Sequence, residues 1–174
     1  MKTAIIASAG YGTRLGELTK NNPKPMIDIG GKTTLQRIIE NLHSHNITKI
    51  IINVHYLPMI ITSKVGSNAL YFYEERLLGQ DGTISALKNC IEGDFFYCNG
   101  DTISNISYTD MTISHKPGTI LAAMDSWRCI GTWLYSREYF DNPNIPVFPY
   151  RPQNLVWHDI GTKERLEEAK KYYE

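Results

Sequence analysis

The 174-residue sequence has no apolar run approaching the roughly 20 residues that a membrane helix requires. It also has no excess of either charge, since Lys plus Arg and Asp plus Glu both number 18. A protein that binds nucleic acid through bulk positive charge is therefore not expected. A small anionic substrate remains compatible with this balance, because it needs only a few well-placed cations.

Cysteine is scarce, and its three residues form no CxxC pair. An odd number of unpaired cysteines is typical of buried free thiols in a reducing compartment, which predicts a cytoplasmic protein. The histidines show no metal-ligand spacing, and the G-x-S-x-G elbow of a serine hydrolase is absent. The apolar run at residues 3–8 predicts a buried strand, not a targeting segment.

Apolar patterning predicts strands that alternate with helices. Strands are expected at residues 3–8, 47–54, 70–73, 94–98, 119–124, 129–135 and 154–158. Helices are expected around residues 35–42, 58–65, 84–91 and 162–173, the first with a capping box and the last with a Glu167–Lys171 pair. This alternation predicts parallel βαβ units in a single α/β domain with a mostly parallel sheet.

Residues 9–32 separate the first strand from the first helix and show no periodic pattern. A loop of this length inside a small domain is usually functional. Gly10 and Gly12 would let the backbone approach a phosphate, and Arg14 offers a guanidinium for phosphate oxygens. Taken alone, the same residues are equally typical of a glycine turn with a surface arginine.

Lys24 lies between two prolines, which hold the flanking backbone extended and would place the ammonium group rigidly. Taken alone, this PKP segment is more typical of a surface turn with a solvated lysine. Two familiar phosphate-binding motifs do not fit this region. The dinucleotide fingerprint GxGxxG fails because its third glycine is Leu15, and a P-loop fails because Met26 occupies its first glycine position. A Rossmann dehydrogenase and a P-loop kinase are therefore excluded by motif.

Residues 10–19 (GYGTRLGELT), 23–26 (PKPM) and 31–32 (GK), ahead of an amphipathic helix, together resemble the opening of the sugar-phosphate nucleotidyltransferase family. The resemblance implies a three-layer Rossmann-like α/β fold, with residues 1–174 as one domain. It implies transfer of a nucleoside monophosphate from a nucleoside triphosphate to a sugar 1-phosphate, with release of pyrophosphate and use of Mg²⁺.

The resemblance continues along the chain. Residues 75–84 (ERLLGQDGTI) resemble the loop that contacts the base, with Gln80 and Asp81 in place of the usual Thr and Ala. The NGD sequence that ends in Asp101 and the WHDIGT sequence that contains Asp159 resemble the two metal-binding segments. Mg²⁺ favours carboxylates together with phosphate oxygens and water, so the two aspartates are chemically reasonable ligands as a pair. Either one alone is more typical of a structural residue, such as one near the start of a helix in the case of Asp159.

The resemblance also implies roles for individual residues. Arg14 would hold the leaving pyrophosphate, Lys24 would bridge the two reacting phosphates, and Gly131 would contact the acceptor. The expected nucleotide pocket comprises Ala9, Gly10, Gly12, Thr13, Gln80 and Gly82. The methyl group of Ala9 would crowd a purine, which favours UTP or dTTP, then CTP, over GTP.

One part of the family pattern is missing. Longer members carry an insertion with an E-K-P-like lysine that contacts the sugar phosphate, whereas here residues 116–118 lead directly into a strand. A shortened sugar-binding lobe is therefore expected, with Arg128 and Trp133 as candidate acceptor contacts, although Trp133 is more typical of a core residue. A non-sugar acceptor such as phosphocholine and a catalytically silent nucleotide-sugar-binding module remain as alternatives.

Overall fold

The computed structural model of the chain describes residues 2–173, in which short strands alternate with five α-helices. The strands are β1 (Thr3–Ala7), β2 (Asp28–Ile29), β3 (Lys32–Thr33), β4 (Lys49–Val54), β5 (Leu70–Tyr73), β6 (Phe95–Asn99), β7 (Thr102–Ser104), β8 (Ile120–Met124), β9 (Cys129–Tyr135), β10 (Val147–Tyr150) and β11 (Trp157–Asp159). The helices are α1 (Thr34–Ser44), α2 (Pro58–Val65), α3 (Gly79–Ala86), α4 (Tyr108–Ser114) and α5 (Lys163–Tyr173). Across residues 2–173, none of the helices has the length and apolarity that crossing a bilayer demands.

Seven strands form the central sheet, in the order β10-β8-β9-β6-β1-β4-β5. Strand β1 pairs in parallel with both β4 and β6, β5 extends β4 in parallel, and β10 is parallel to β8. Strand β9 runs antiparallel to both of its neighbours. The expected mostly parallel sheet is therefore confirmed.

Helices cover both faces of this sheet, which gives the expected three-layer α/β architecture. In β1, Ala4 and Ile6 join one buried cluster with α1, α2 and α4, whereas Ile5 joins the opposite cluster with Ile84 of α3. Successive strand residues point to opposite faces, so a continuous apolar strand is needed wherever both faces are covered. This explains the apolar runs of β1, β4 and β6.

The structure confirms several predicted elements and corrects others. Strands β5 and β9, helix α2 and the capping box between Thr33 and Gln36 are as predicted. The segment 9–32, predicted as a loop, contains 3₁₀ turns at Thr13–Thr19 and Lys24–Met26 and most of the β2–β3 hairpin. These pieces are too short to produce a periodic pattern.

Other predicted boundaries are wrong. Helix α3 begins at Gly79, within the segment predicted as a loop, and ends before Ile91. The last short strand, expected at residues 154–158, is β11 at Trp157–Asp159. Strands β7 and β10 and helix α4 were not predicted. Glu167 pairs with Lys170 at 3.0 Å instead of with Lys171. The cysteines are unpaired as expected, but Cys98 alone among the three is fully buried.

A separate two-stranded sheet and helix α5 hold the segment after β1 in place. Strand β11 pairs antiparallel with β7, and α5 packs over this pair. Leu15 and Ile29 from the early segment pack with Ile160 and Leu166 in one apolar cluster, whose members are almost fully buried. This contact places the segment that carries Arg14 next to β11.

Candidate active site

The carboxyl ends of β1, β4, β5 and β6 meet at one edge of the central sheet, because these four strands are parallel. The antiparallel strand β9 contributes its first residues to the same edge. In open α/β sheets, ligands bind in the crevice outside the carboxyl ends of the strands. Two adjoining clefts open at this edge.

The first cleft has a volume of about 330 Å³ and lies over the ends of β1 and β4. Among the residues predicted to act at the site, it is lined by Ala9, Gly10, Lys24, Gln80 and Asp101. The cleft is thus formed by the predicted loops after β1 and β5, together with the end of β6.

A buried polar network that was not predicted forms the floor of this cleft. Asn53 accepts a hydrogen bond from the backbone N–H of Ser8 (2.7 Å) and donates one to Glu74 (2.9 Å). The Glu74 carboxylate also accepts from Thr83 (2.5 Å) and from the backbone N–H of Leu78 (3.1 Å). The network therefore ties the ends of β1, β4 and β5 to α3, which fixes the shape of the cleft.

The loop after β1 is held from its outer side by aromatic residues. The His55 ring donates from Nδ1 to the carbonyl of Glu74 (2.8 Å), and its Nε2 lies 2.9 Å from the Tyr11 hydroxyl. Because a carbonyl oxygen can only accept, Nδ1 is the donor of its contact with Glu74, and the Tyr11 hydroxyl provides the hydrogen-bond partner of Nε2. Tyr11 also packs edge-on against Tyr56, whose hydroxyl donates to the carbonyl of Lys20 (2.7 Å).

Gln80 is fixed at the side of the first cleft. Its Nε2 donates to the hydroxyl of Tyr135 at 2.7 Å, and burial raises the pKa of this tyrosine to about 12. The neighbouring Asp81 accepts from the hydroxyl of Tyr139 (3.0 Å). The side chain of Gln80 is thus anchored to the sheet through its amide nitrogen.

The second cleft is smaller, about 190 Å³, and shares Asn99 and Asp101 with the first. It is lined by Asp101 and Asp159, which the β7–β11 pairing brings together although they are far apart in sequence. Asp159 pairs with Thr102, and the backbone N–H of Ile160 donates to the carbonyl of Asp101 (3.0 Å). Asp101 therefore lies in the wall shared by the two clefts, and Asp159 lies beside it in the second cleft.

Each of these two carboxylates has a cationic partner. Lys24 forms an ion pair with Asp101, and Arg165 forms one with Asp159 at 2.6 Å. The backbone N–H of Gly161 also donates to Asp159 (2.8 Å). Burial raises the pKa of Asp159, but the hydrogen bonds from Arg165 and Gly161 outweigh it and hold the pKa below its ordinary value.

Other residues predicted for the site have different placements. Arg14 is exposed and lines the second cleft, beside Gly161. Gly12, Thr13 and Gly82 line neither cleft. Gly12 has φ +68°, and an added Cβ would lie within about 3 Å of Thr19 and Lys24, so it is required for close packing of the loop.

Gly131, the predicted acceptor contact, lines the second cleft in β9. Its φ is +80°, and an added Cβ would lie 2.6 Å from the side-chain nitrogen of Asn99. Trp133, the candidate acceptor contact two residues on, lines neither cleft and packs edge-on against Tyr97. The structure instead places Trp157 in the second cleft.

Four site residues were missed by sequence reasoning: Asn53, Glu74, Trp157 and Arg165. For Trp157 there was a usable signal, since it is two residues before Asp159 on a strand and must share its face. Arg165 lies in the turn of α5 that follows the same strand. Glu74 had no such signal, because the predicted motif began at its exposed neighbour Glu75.

This arrangement defines a class of protein. The clefts lie at the carboxyl edge of a three-layer α/β sheet, and two carboxylates and several cations meet between them, as binding of anionic phosphates would require. The sequence matches the Nucleotidyl transferase family over residues 3–125. The chain belongs to this family.

Two curated relatives and one solved structure illustrate the likeness. The chain is 37% identical over 125 residues to bifunctional protein GlmU of Methanococcus maripaludis, a match that covers 71% of this chain and 30% of the relative. It is 30% identical over 173 residues to mannose-1-phosphate guanyltransferase of Candida albicans, covering 90% and 47%. The crystal structure of HddC from Yersinia pseudotuberculosis complexed with GMP-PN superposes with a TM-score of 0.84 at 21% identity, covering 100% of both chains.

The chain spans less than half the length of these two curated relatives. The names of these relatives therefore refer to proteins that are longer than this chain. The solved structure, at 21% identity, establishes likeness of fold.

Glu74→Gln should destabilise the protein by about 1–3 kcal/mol, because an amide nitrogen would face donors that need an acceptor. Urea unfolding measures the change, with Glu75→Gln as the matched control. Glu75 is exposed, so its substitution should stay within about 0.5 kcal/mol of the unsubstituted protein. Equal stability of the two variants would show that the network does not support the cleft.

Proposed function

We propose that this chain transfers a nucleoside monophosphate from a nucleoside triphosphate to the phosphate of a sugar 1-phosphate, with release of pyrophosphate. The observation that carries the proposal is the position of Asp101 in the wall shared by two clefts, paired with Lys24 of the first cleft and next to Asp159 of the second. Two substrates bound in adjoining clefts would bring their phosphates together at this wall.

In the proposed reaction, an oxygen of the acceptor phosphate attacks the α-phosphorus of the nucleotide. A bond forms between that oxygen and the α-phosphorus, and the bond from the α-phosphorus to the bridging oxygen of pyrophosphate breaks. The nucleophile is already anionic and needs little help from a general base. The barrier arises from repulsion between anions, so the residues act by placement and charge neutralisation.

Lys24 is suited to neutralise both reacting phosphates. It lines the first cleft and is paired with Asp101, the carboxylate that both clefts share. A buried Pro on each side holds its backbone in place. Arg14, exposed beside Gly161, would hold the leaving pyrophosphate on the side of the α-phosphorus opposite the attacking oxygen, as in-line displacement requires.

The donor set at Asp101 and Asp159 fits Mg²⁺. This ion is commonly bound by one or two carboxylates, with substrate phosphates and water as its other ligands. Within residues 2–173 there is no cluster of three or more His, Cys, Asp or Glu side chains that could hold an ion. When bound, Mg²⁺ would neutralise charge on the α-phosphate, and the two aspartates would hold it there.

The first cleft is the proposed nucleotide site. Ala9 is buried in its wall, and Gln80, anchored to Tyr135, lines the same cleft and would contact the base. The proposal includes a preference for UTP or dTTP, then CTP, over GTP, since the methyl group of Ala9 leaves less room for a purine. It also includes a cytoplasmic location and a single domain with a reduced acceptor lobe.

Incubation of the protein with Mg²⁺, each of five nucleoside triphosphates and each of several phosphate esters tests the proposed function. The esters are glucose, mannose and N-acetylglucosamine 1-phosphates and phosphocholine. Pyrophosphate release is expected with a sugar 1-phosphate and to be fastest with UTP or dTTP. Preferential use of GTP would contradict the role of Ala9. Pyrophosphate release with phosphocholine alone would identify a different acceptor. Triphosphate binding without pyrophosphate release would indicate a catalytically silent binding module.

Asp101→Asn and Asp159→Asn should each lower turnover by about 10²-fold or more, because a neutral amide binds a divalent cation poorly and metal charge stabilisation is worth several kcal/mol. Steady-state pyrophosphate release at several Mg²⁺ concentrations measures the effect. Asp141→Asn, at an exposed position outside both clefts, is the matched control and should retain full activity. Normal Mg²⁺-dependent turnover in either active-site variant would show that its aspartate does not hold the metal.

Arg14→Ala and Lys24→Ala should differ in their kinetic effects. Arg14→Ala should raise the KM for the triphosphate and lower kcat, whereas Lys24→Ala should mainly lower kcat, by about 10²–10³-fold. Exposed Lys32, which pairs with Glu40, provides the control Lys32→Ala with little expected effect. An unchanged kcat in Lys24→Ala would show that Lys24 does not act in the chemical step and that the PKP segment is only a structural turn.

A further inference from the structure

The second cleft contains two further arginines, Arg128, a candidate acceptor contact from the sequence, and Arg165, which the sequence did not single out. Arg128 and Arg165 line it together with Arg14, Asp101 and Asp159. Three guanidinium groups and two carboxylates give the cleft a net positive charge. Arginine on separate elements around a small cavity is well suited to bind a phosphate, because the planar guanidinium matches phosphate oxygens.

Arg128 is placed by the turn between β8 and β9. The Asp125 carboxylate accepts hydrogen bonds from the backbone N–H groups of Trp127 and Arg128, both at 3.0 Å. The same carboxylate accepts from Nε of Arg128 at 3.3 Å. An aspartate that bonds to backbone two and three residues ahead stabilises a tight turn. Arg128 is therefore held at the carboxyl edge of the sheet.

The guanidinium of Arg128 is also stacked. Its central carbon lies 4.4 Å from the centre of the Trp157 ring, and Trp157 shares a face of β11 with Asp159. Such stacking holds the guanidinium plane against the ring while its edge remains available for hydrogen bonds. Within residues 2–173, the two terminal nitrogens of Arg128 have no protein hydrogen-bond partner.

Arg165 reaches the cleft from α5. One of its terminal nitrogens pairs with Asp159, and the side chain remains 42% exposed. Across the part of the chain that the structure describes, its other terminal nitrogen and Nε have no protein hydrogen-bond partner. Arg165 can therefore keep its contact with Asp159 and donate to a second anion.

We propose that Arg128 and Arg165 bind the phosphate group of the acceptor in the second cleft. The inference rests on the proposed function, in which an anionic acceptor must approach the α-phosphorus next to Asp101. The second cleft shares Asp101 and Asn99 with the nucleotide cleft, so a phosphate bound there lies beside the reacting centre. The recognised group is a phosphate monoester.

The test uses Arg128→Gln and Arg165→Gln, with Arg151→Gln as the matched control. Arg151 is exposed and lines neither cleft. Calorimetric titration of the metal-free and nucleotide-free protein with glucose 1-phosphate, mannose 1-phosphate, N-acetylglucosamine 1-phosphate and phosphocholine identifies the ester that binds best. A second series contains Mg²⁺ and α,β-methylene-UTP or α,β-methylene-GTP, to include an acceptor that binds after the nucleotide.

Each active-site substitution should raise the Kd of that ester at least about 10-fold, the scale of a lost charge-assisted hydrogen bond. The Kd of the nucleotide analogue should change less than about twofold, and Arg151→Gln should change neither. A purely structural Arg165 that only positions Asp159 would leave metal-free acceptor binding unchanged in Arg165→Gln. An unchanged acceptor Kd in either variant, or no ester binding by the unsubstituted protein in both series, overturns the inference.

The result is separable from the test of the proposed function. Ester binding that depends on Arg128 and Arg165, in a protein that releases no pyrophosphate, would support the inference and contradict the proposed function. Turnover by the unsubstituted protein, together with an unchanged acceptor KM in both variants, would support the proposed function and contradict the inference.

Discussion

The ion pair between Lys24 and Asp101 joins the two clefts of this protein, and the rest of the site depends on it. Asp101 lies near a second carboxylate, Asp159, and two such charges repel unless cations compensate them. Lys24 and Arg165 provide that compensation. The sheet supplies Asp101 and the segment after β1 supplies Lys24, so the pair forms only when the two are correctly packed.

Packing at a distance from the clefts secures this arrangement. Helix α5 and the β7–β11 pair bury Ile160 and Leu166 against Leu15, which holds the early segment in place. On the other side, Glu74 and Asn53 fix the ends of three parallel strands. The proposed nucleotide site thus rests on a hydrogen-bonded floor, and the proposed metal site rests on an apolar layer formed by the last helix.

The sequence was informative where patterns are long or motifs are dense. The apolar runs of β1 and β4 and the periodicity of α1 predicted the layered α/β fold. The segments around Lys24, Asp101 and Asp159, predicted to act together, lie side by side at the edge of the sheet. Short elements such as β7 and the 3₁₀ turns have no periodic signal. The acceptor side was the least predictable part, because Arg128 and Arg165 come together only through tertiary pairing. Trp133 packs against a core cluster beside Tyr97, whereas Trp157 lines the second cleft.

The central claim is that the protein joins a nucleotide to a phosphorylated acceptor across the wall at Asp101. The most direct measurement is ³¹P NMR of the protein with Mg²⁺, UTP and a sugar 1-phosphate. The account predicts signals of a diphosphate diester and of pyrophosphate that grow in equal amounts, while both substrates disappear together. A spectrum that stays unchanged with every triphosphate and acceptor, or one that shows only hydrolysis of the triphosphate, would contradict it.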